Sequence, residues 1–180
     1  IQTIQQYNVE LKHLARVIVI EQHLSSDEMK YLYKSSDVFV LPTRGEGWCL
    51  PCIEAMSCKI PIIVTNFSGP TAYMHPEFSY GLNYTLNNNI DGTGTGSRSG
   101  TAEPDVNHLS QLLHHVVSNP QEVIRKGSLA QQYVRNNYPP ELIAAKIVKR
   151  LNYLYQRITV TSPIPVPMPI PMPIESIYEY

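Results

Sequence analysis

Two short apolar runs lie close together in the sequence and limit what the chain can fold into. "DVFVL" (37–41) and "IPIIVT" (60–65) enclose a polar crossing, "PTRGEGWCLPCIEAM". Apolar runs rich in Val and Ile are typical of strands buried on both faces, and a helix is expected between them from about Pro51 to Cys58. A helix that joins two such strands makes them parallel. The segment therefore predicts a strand–helix–strand unit.

Flanking segments extend this unit at both ends. "RVIVIEQ" (16–22) predicts another buried parallel strand, and "SSDEMKYLYKSSD" (25–37) predicts a helix because Glu28 follows serine as in a capping box. A helix is also expected over "IQTIQQYNVELKHLA" (1–15), and a further short strand over "FSYGLNY" (78–84). The fold class predicted is α/β, a Rossmann-like parallel sheet with flanking helices.

The second half of the chain is predicted to be helical, with two irregular segments. Three helices are expected, at 105–119, 120–137 and 140–158. A low-complexity stretch rich in Gly, Ser, Thr and Asn predicts a flexible loop near 87–105. Proline at every second position from 163 to 173 excludes a helix or a central strand, so 158–180 is predicted to be an extended tail and 1–157 one domain.

Charge and cysteine content exclude several classes of partner. Lys and Arg number 14 against 15 Asp and Glu, so we expect no nucleic-acid partner. No transmembrane segment or signal peptide is expected, and a chain beginning at Ile1 is expected to start inside a longer protein. Three cysteines within ten residues do not form a disulfide framework, which favours a reducing, cytoplasmic location.

Two glutamates in the crossing suggest a binding site. Loops at the carboxyl ends of parallel strands bind ligands, and the N–H groups at the start of the predicted helix suit an anion such as a diphosphate. Carboxylates beside an anion should contact hydroxyl groups instead, so Glu46 and Glu54 are predicted to bracket a nucleotide diphosphate sugar. Glu54, expected in the first helical turn, has a structural alternative, because a carboxylate there stabilises the helix dipole. That alternative does not account for Glu46.

The stretch "GEGWCLPCIEAMSCKIPIIVTNFSGPT" (45–71) resembles the donor-site signature of retaining glycosyltransferases of the GT-B fold. The resemblance covers about residues 15–75. It implies that the chain is a partial C-terminal donor domain, with an N-terminal acceptor domain missing. It further implies transfer of a sugar from a nucleotide-sugar donor to an unknown acceptor hydroxyl with retention, without a cofactor or metal ion. The isolated chain is then expected to be inactive.

The resemblance also implies roles for individual residues. Glu46, the catalytic candidate, matches the family's glutamate that contacts the donor sugar, and Glu54 matches the one that binds the ribose. The loop whose backbone amides meet the sugar and diphosphate corresponds to Gly47, Trp48, Cys49 and Leu50. Position alone adds Gly45, which allows close approach of a ligand, and Arg44, which could assist a phosphate or be a solvated loop residue.

Several departures and alternatives stay open. Cys49 replaces the family's second glycine, Lys59 stands where a glycine often ends the helix in a left-handed conformation, and Ala72 stands where relatives often have an acid. The main alternative is a non-catalytic nucleotide-sugar-binding or interaction module, either a fragment or a pseudoenzyme. A glycosidase using Glu46 and Glu54 as acid and nucleophile ranks lower, as does a zinc site at Cys49 and Cys52.

Overall fold

A parallel three-stranded sheet forms the centre of the structure. The computed structural model describes residues 15–87 and 100–161. The strands are β1 (Phe39–Leu41), β2 (Ile62–Thr65) and β3 (Ser79–Leu82), in the order β1-β2-β3. The register pairs Phe39 with Ile62, and Ile62 with Ser79. A separate antiparallel ribbon joins β4 (Tyr84–Asn87) to β5 (Thr101–Pro104).

Helices cover both faces of the sheet. They are α1 (Ser26–Lys34), α2 (Leu50–Ser57), α3 (Val106–Ser118), α4 (Pro120–Asn137) and α5 (Pro140–Thr161). A 3₁₀ turn at Gly69–Ala72 lies between β2 and β3. All three predicted C-terminal helices are confirmed, and α5 continues to Thr161, beyond the position where an extended tail was predicted to begin. No helix in the described ranges is both long and apolar enough to cross a bilayer.

Strand β2 is the most buried element and separates two apolar clusters. Because side chains alternate along a strand, Ile62 and Val64 pack with Ala55 and Met56 of α2, whereas Ile63 packs on the other face. That second cluster includes Val116 of α3. Full burial of each such side chain contributes roughly 1.5–3 kcal/mol. The continuous "IIVT" run is therefore explained by cover on both faces.

Two local predictions about helix ends are confirmed. Ser25 caps α1: its hydroxyl accepts from the N–H of Glu28, and the Glu28 carboxylate accepts from the N–H of Ser25 at 2.8 Å, as in a capping box. Lys59, just after α2, has φ 68°, the left-handed conformation predicted for this position.

Gly127 lets α4 pack tightly against the turn that follows α2. A Cβ at Gly127 would lie only 2.0 Å from the carbonyl oxygen of Lys59. Only glycine therefore permits this approach, which brings Ala130 and Val134 of α4 into the same cluster as α2.

The strand predicted at 16–22 is wrong. Residues 15–25 have no strand assignment, and Val17, Ile18, Val19 and Ile20 are exposed. A buried parallel strand needs a hydrogen-bonded neighbour. Among the described residues, β1 forms an edge of the sheet and pairs only with β2, so the run at 16–22 does not pair with this open edge. The β-branched pattern shows what a segment can form, not whether it joins a sheet.

The predicted loop at 87–105 is also partly wrong. Asn87 ends β4 and Thr101–Pro104 forms β5, with Ala102 fully buried. The antiparallel partner supplies the backbone hydrogen bonds that a composition argument overlooks. The rest of that loop, 88–99, lies outside the described residues, as do the predicted helix over 1–14 and the tail from 162 onward.

Candidate functional site

The loop that joins β1 to α2 lies at the carboxyl end of the parallel sheet. This donor loop, defined as residues 42–49, leaves β1 at Leu41 and enters α2 at Leu50. In open parallel sheets, ligands bind in the crevice outside this edge. The first N–H groups of α2 have no partner within the helix and carry its partial positive charge. The location and the helix start together provide a candidate anion site.

The donor loop takes its shape from the segment that follows β2. Gly69 donates its N–H to the carbonyl of Glu46 at 3.0 Å, and the Ser68 hydroxyl accepts from the N–H of Glu46 at 2.9 Å. A Cβ at Gly69 would lie 2.1 Å from the Gly47 carbonyl oxygen. Ser68 itself has φ 57° and ψ −142°, a strained conformation for a residue with a side chain. The two segments therefore touch backbone to backbone.

Aromatic residues fix the end of the donor loop. The Tyr73 hydroxyl donates toward the carbonyls of Trp48 and Cys49, at 2.8 and 3.3 Å. The Trp48 ring packs edge-on against Tyr73 and Tyr138, with ring centroids 5.3 and 5.9 Å apart. Trp48 remains 39% exposed, so one part of the indole is anchored while another part faces solvent.

Cys49 occupies the N-cap position of α2 in a left-handed conformation, with φ 65°. This backbone explains why a glycine suits the position. The Cys49 side chain is buried, and its Sγ lies 2.8 Å from that of Cys52. The side chain therefore points into the core and leaves the solvent side of the donor loop open, although Cys49 replaces the family's glycine.

The cysteine pair is buried. Burial raises the pKa of the Cys52 thiol, and the contact with the Cys49 thiol raises it further. Within the ranges that the structure describes, no group of three or more His, Cys, Asp or Glu residues is arranged to hold a metal ion. The two thiols pack as small buried side chains.

Glu46 is a half-buried residue of the donor loop. Its carboxylate oxygen lies 3.2 Å from the hydroxyl of Thr43. Both of its backbone polar groups bond to the 68–69 segment. The main chain at Glu46 is therefore firmly held, whereas the carboxylate has capacity for further hydrogen bonds.

Glu54 lies deeper in α2 than predicted. It is the fifth residue of the helix, and the first turn contains no acid, so the predicted first-turn position is wrong. The reason is that α2 begins at Leu50, before Pro51. Stabilisation by the helix dipole falls off within the first turn, so it accounts poorly for a glutamate at this position.

The Glu54 carboxylate accepts a hydrogen bond from the buried Tyr33 hydroxyl at 3.0 Å. Burial and this carboxylate raise the pKa of Tyr33, so the phenol stays a donor. Glu54 also lines a cavity of about 720 Å³ between α1, α2 and α4. Three cationic side chains share that lining: Lys30, Lys34 and Arg135. A carboxylate, a phenol and several cations thus surround one cavity, a set suited to a polar, anionic ligand.

The other predicted site residues have varied surroundings. Arg44 forms an ion pair with Glu103 of β5, with Nε to Oε2 at 2.8 Å, and its carbonyl accepts from the N–H of Ala102. Gly45, Gly47 and Leu50 are exposed around the donor loop. The loop and the start of α2 thus lie together, while Arg44 is directed to the β-ribbon and Glu54 to the cavity.

Sequence reasoning missed the residues that shape the site from a distance. Tyr33, Ser68, Tyr73 and Glu103 all contact a predicted site residue through a side chain. The cations of the cavity come from α1 and α4, far apart in the sequence. Only Ser68, which lies within the stretch 45–71 that carries the resemblance, gave a signal. The others depend on tertiary packing.

Comparison with known proteins finds one matching family. The model of the family "Glycosyl transferases group 1" matches residues 5–89. This part of the chain, just under half of it, is similar to the group 1 glycosyl transferases. O-antigen chain mannosyltransferase B from Escherichia coli is 39% identical over 44 residues, 24% of this chain and 12% of that protein. Sucrose synthase from Nitrosomonas europaea is 24% identical over 129 residues, 72% of this chain and 14% of that protein.

The fold comparison agrees with the family. Sucrose-phosphate synthase from Thermosynechococcus elongatus matches with a TM-score of 0.61 and 19% identity, over 89% of this chain and 34% of that one. The predicted fold class, a partial GT-B domain with a parallel sheet and flanking helices, is confirmed. The chain corresponds to less than a fifth of the two relatives above and about a third of the matched structure.

Proposed function

We propose that this chain is part of a group 1 glycosyl transferase and binds the nucleotide-sugar donor for transfer of the sugar to an acceptor hydroxyl with retention. One observation carries the proposal. The Glu54 carboxylate, bonded to Tyr33, lines a cavity with Lys30, Lys34 and Arg135, and Glu54 belongs to the same helix whose start borders the donor loop. A nucleoside diphosphate offers hydroxyls to a carboxylate and anionic oxygens to cations and free N–H groups.

The roles proposed follow the chemistry of each group. Glu54 accepts from ribose hydroxyls, the amides of Gly47, Trp48, Cys49 and Leu50 face the sugar and diphosphate, and the Glu46 carboxylate faces the sugar. Departure of the diphosphate is stabilised by the helix start and backbone donors, without a metal ion. The free thiols are in keeping with a reducing, cytoplasmic location.

Transfer would require an acceptor domain that precedes this chain, so the chain alone is proposed to bind donor without transferring sugar.

One observation favours the alternative of a purely binding module. Arg44, the basic residue of the donor loop, is paired with Glu103 and therefore not directed at the helix start. A transfer assay on a longer form of the protein, with Glu46→Gln, separates the two: loss of transfer with intact diphosphate binding supports a catalytic Glu46.

The first test is calorimetric titration of this chain with UDP, GDP and ADP in the absence of metal ions. Glu54→Gln keeps the size and removes the charge. It should weaken binding of the preferred nucleotide roughly 10- to 150-fold, because hydrogen bonds to charged groups contribute about 1.5–3 kcal/mol.

The matched control is Glu141→Gln, because Glu141 is an exposed glutamate in the first turn of α5. This substitution should leave the affinity for the preferred nucleotide unchanged. Equal binding by wild type and Glu54→Gln would reassign Glu54 to support of Tyr33 alone. No binding of any of the three diphosphates by the folded chain would refute the donor-site proposal for this chain.

A further inference from the structure

Tyr73 is a buried phenol whose hydroxyl contacts the backbone of the donor loop. The side chain is 2% exposed. Its hydroxyl lies 2.8 Å from the carbonyl oxygen of Trp48 and 3.3 Å from that of Cys49. These are consecutive carbonyls, and they belong to the two peptide groups that lead into α2. The hydroxyl thus contacts both carbonyls, and the Cys49 carbonyl also accepts from the N–H of Cys52 at 3.2 Å.

Peptide geometry determines what the other side of these groups does. Peptide bonds are planar and trans, so each N–H points opposite to the carbonyl of the same peptide group. The Trp48 carbonyl shares its peptide with the N–H of Cys49, and the Cys49 carbonyl shares its peptide with the N–H of Leu50. With both carbonyls turned toward Tyr73, both N–H groups point away from it, at the end of α2 where free donors and the helix dipole favour an anion.

We propose that Tyr73 is a positioning residue for the donor diphosphate, holding the N–H groups of Cys49 and Leu50 toward it. The inference rests on the proposed function, because it needs a diphosphate at the start of α2. Tyr73 touches neither the donor nor the reacting atoms and acts only through the backbone.

The conformation of Cys49 explains why such a residue is needed. A left-handed backbone at a residue with a side chain is strained, and rotation of either neighbouring peptide would relieve that strain while turning an N–H away from the ligand. The Tyr73 hydroxyl opposes this rotation. Burial raises the pKa of Tyr73, so the hydroxyl keeps its proton and remains a donor. A family member with glycine at this position would need the hydroxyl less.

Tyr73→Phe removes only the hydroxyl and keeps the ring that packs against Trp48. Amide-resolved NMR titrations with UDP, GDP and ADP, and with uridine, guanosine and adenosine, compare the diphosphate with the bare nucleoside. Tyr73→Phe should lower the affinity for the preferred diphosphate about tenfold and change the affinity for the corresponding nucleoside less than twofold. Tyr80→Phe is the matched control. Tyr80 lies in the other apolar cluster, and its hydroxyl donates to Glu122. Removal of this hydroxyl should change neither the diphosphate affinity nor the nucleoside affinity.

The outcomes separate this inference from the proposed function. If wild type binds no diphosphate, the proposed function fails and the role of Tyr73 fails with it. If wild type binds and Tyr73→Phe binds the diphosphate within twofold as well, only the Tyr73 inference is overturned. Equal weakening of diphosphate and nucleoside would assign Tyr73 a merely structural role, which also overturns it.

The unchanged chain provides a second measurement in case Tyr73→Phe does not fold. The amide resonances of Cys49 and Leu50 should shift on addition of the preferred diphosphate and stay unshifted with its nucleoside. Diphosphate binding that leaves both resonances in place would contradict the inference without any substitution.

Discussion

Gly69→Ala is the substitution for which the structure gives the sharpest expectation. The added Cβ would lie 2.1 Å from the carbonyl oxygen of Gly47, 2.5 Å from the carbonyl carbon of the same residue and 2.7 Å from the carbonyl oxygen of Glu46. All three are backbone atoms, so no side chain can rotate to make room. The donor loop and the 68–69 segment must separate, which also breaks the hydrogen bond from Gly69 to Glu46.

The expected cost combines two terms. Overpacking of a well-packed site typically costs 1–3 kcal/mol, and loss of one hydrogen bond adds about 1 kcal/mol. The free energy of unfolding should therefore fall by roughly 2–4 kcal/mol. For a chain of this length, each kcal/mol corresponds to about 2–4 °C in Tm, so Tm should fall by roughly 4–16 °C. Binding of the preferred nucleoside diphosphate should also be lost, because Glu46 and Gly47 are displaced.

Urea and thermal unfolding followed by circular dichroism provide the assay. Gly81→Ala is the matched control, since a Cβ there meets only side-chain atoms at 3.5 Å or more, an ordinary contact distance. The control should keep the wild-type Tm within about 2 °C, the equivalent of the ±0.5 kcal/mol typical of substitutions that create no clash. A Tm for Gly69→Ala within the same margin, with diphosphate binding retained, would refute the close backbone contact on which the description of the site depends.

Three further expectations follow. Lys59→Gly should raise the free energy of unfolding by about 0.5–1 kcal/mol in urea titrations, because the left-handed backbone at 59 is strained for lysine; no gain would show that the strain is negligible. The hydrogen bond from Arg44 holds the pKa of Glu103 below its ordinary 4.5, so this stabilisation is present above pH 4.5 and is lost as the pH falls through the lowered value. Arg44→Gln should return the Glu103 pKa toward 4.5 in an NMR titration, and an unaltered value would contradict the pairing. A thiol reagent should modify Cys58 first and Cys52 only on unfolding, since Cys52 is fully buried and burial raises its pKa; equal rates would contradict that packing.

Local sequence signals predicted the elements whose determinants are close in the chain. The capping box at Ser25 and Glu28, the proline near the start of α2 and the β-branched run of β2 all act within a few residues. The left-handed residue at 59 was also predictable, because a helix that stops there needs it. These features specify their own conformation with little help from the rest of the molecule.

Non-local determinants account for the errors. The run at 17–20 has strand propensity, but in the described part of the chain it joins no sheet and stays exposed. Conversely, Thr101–Pro104 lacks strand propensity and is ordered because β4 lies beside it. β-propensity describes how a residue fits a pleated surface, and the surface must come from another segment.

The main residues of the site could be predicted from the sequence, but the residues that hold them in place could not. Glu46 and Glu54 could be singled out because the motif is contiguous. The contacts that hold them, Tyr33 with Glu54 and Ser68 with Glu46, join residues 21 and 22 positions apart. Nothing in a linear pattern says which of many tyrosines returns to the motif, or that Ser68 within it contacts Glu46, so these contacts required the fold.

The pairing of Asn87 with Thr101 fixes the register of the β4–β5 ribbon, which also pairs Thr85 with Glu103. Because successive side chains of a strand point to opposite faces, a slip of one residue would turn Glu103 to the other face of the ribbon. The ion pair between Glu103 and Arg44 beside the donor loop would then be broken. The register of a ribbon outside the parallel sheet therefore controls the surroundings of the donor loop.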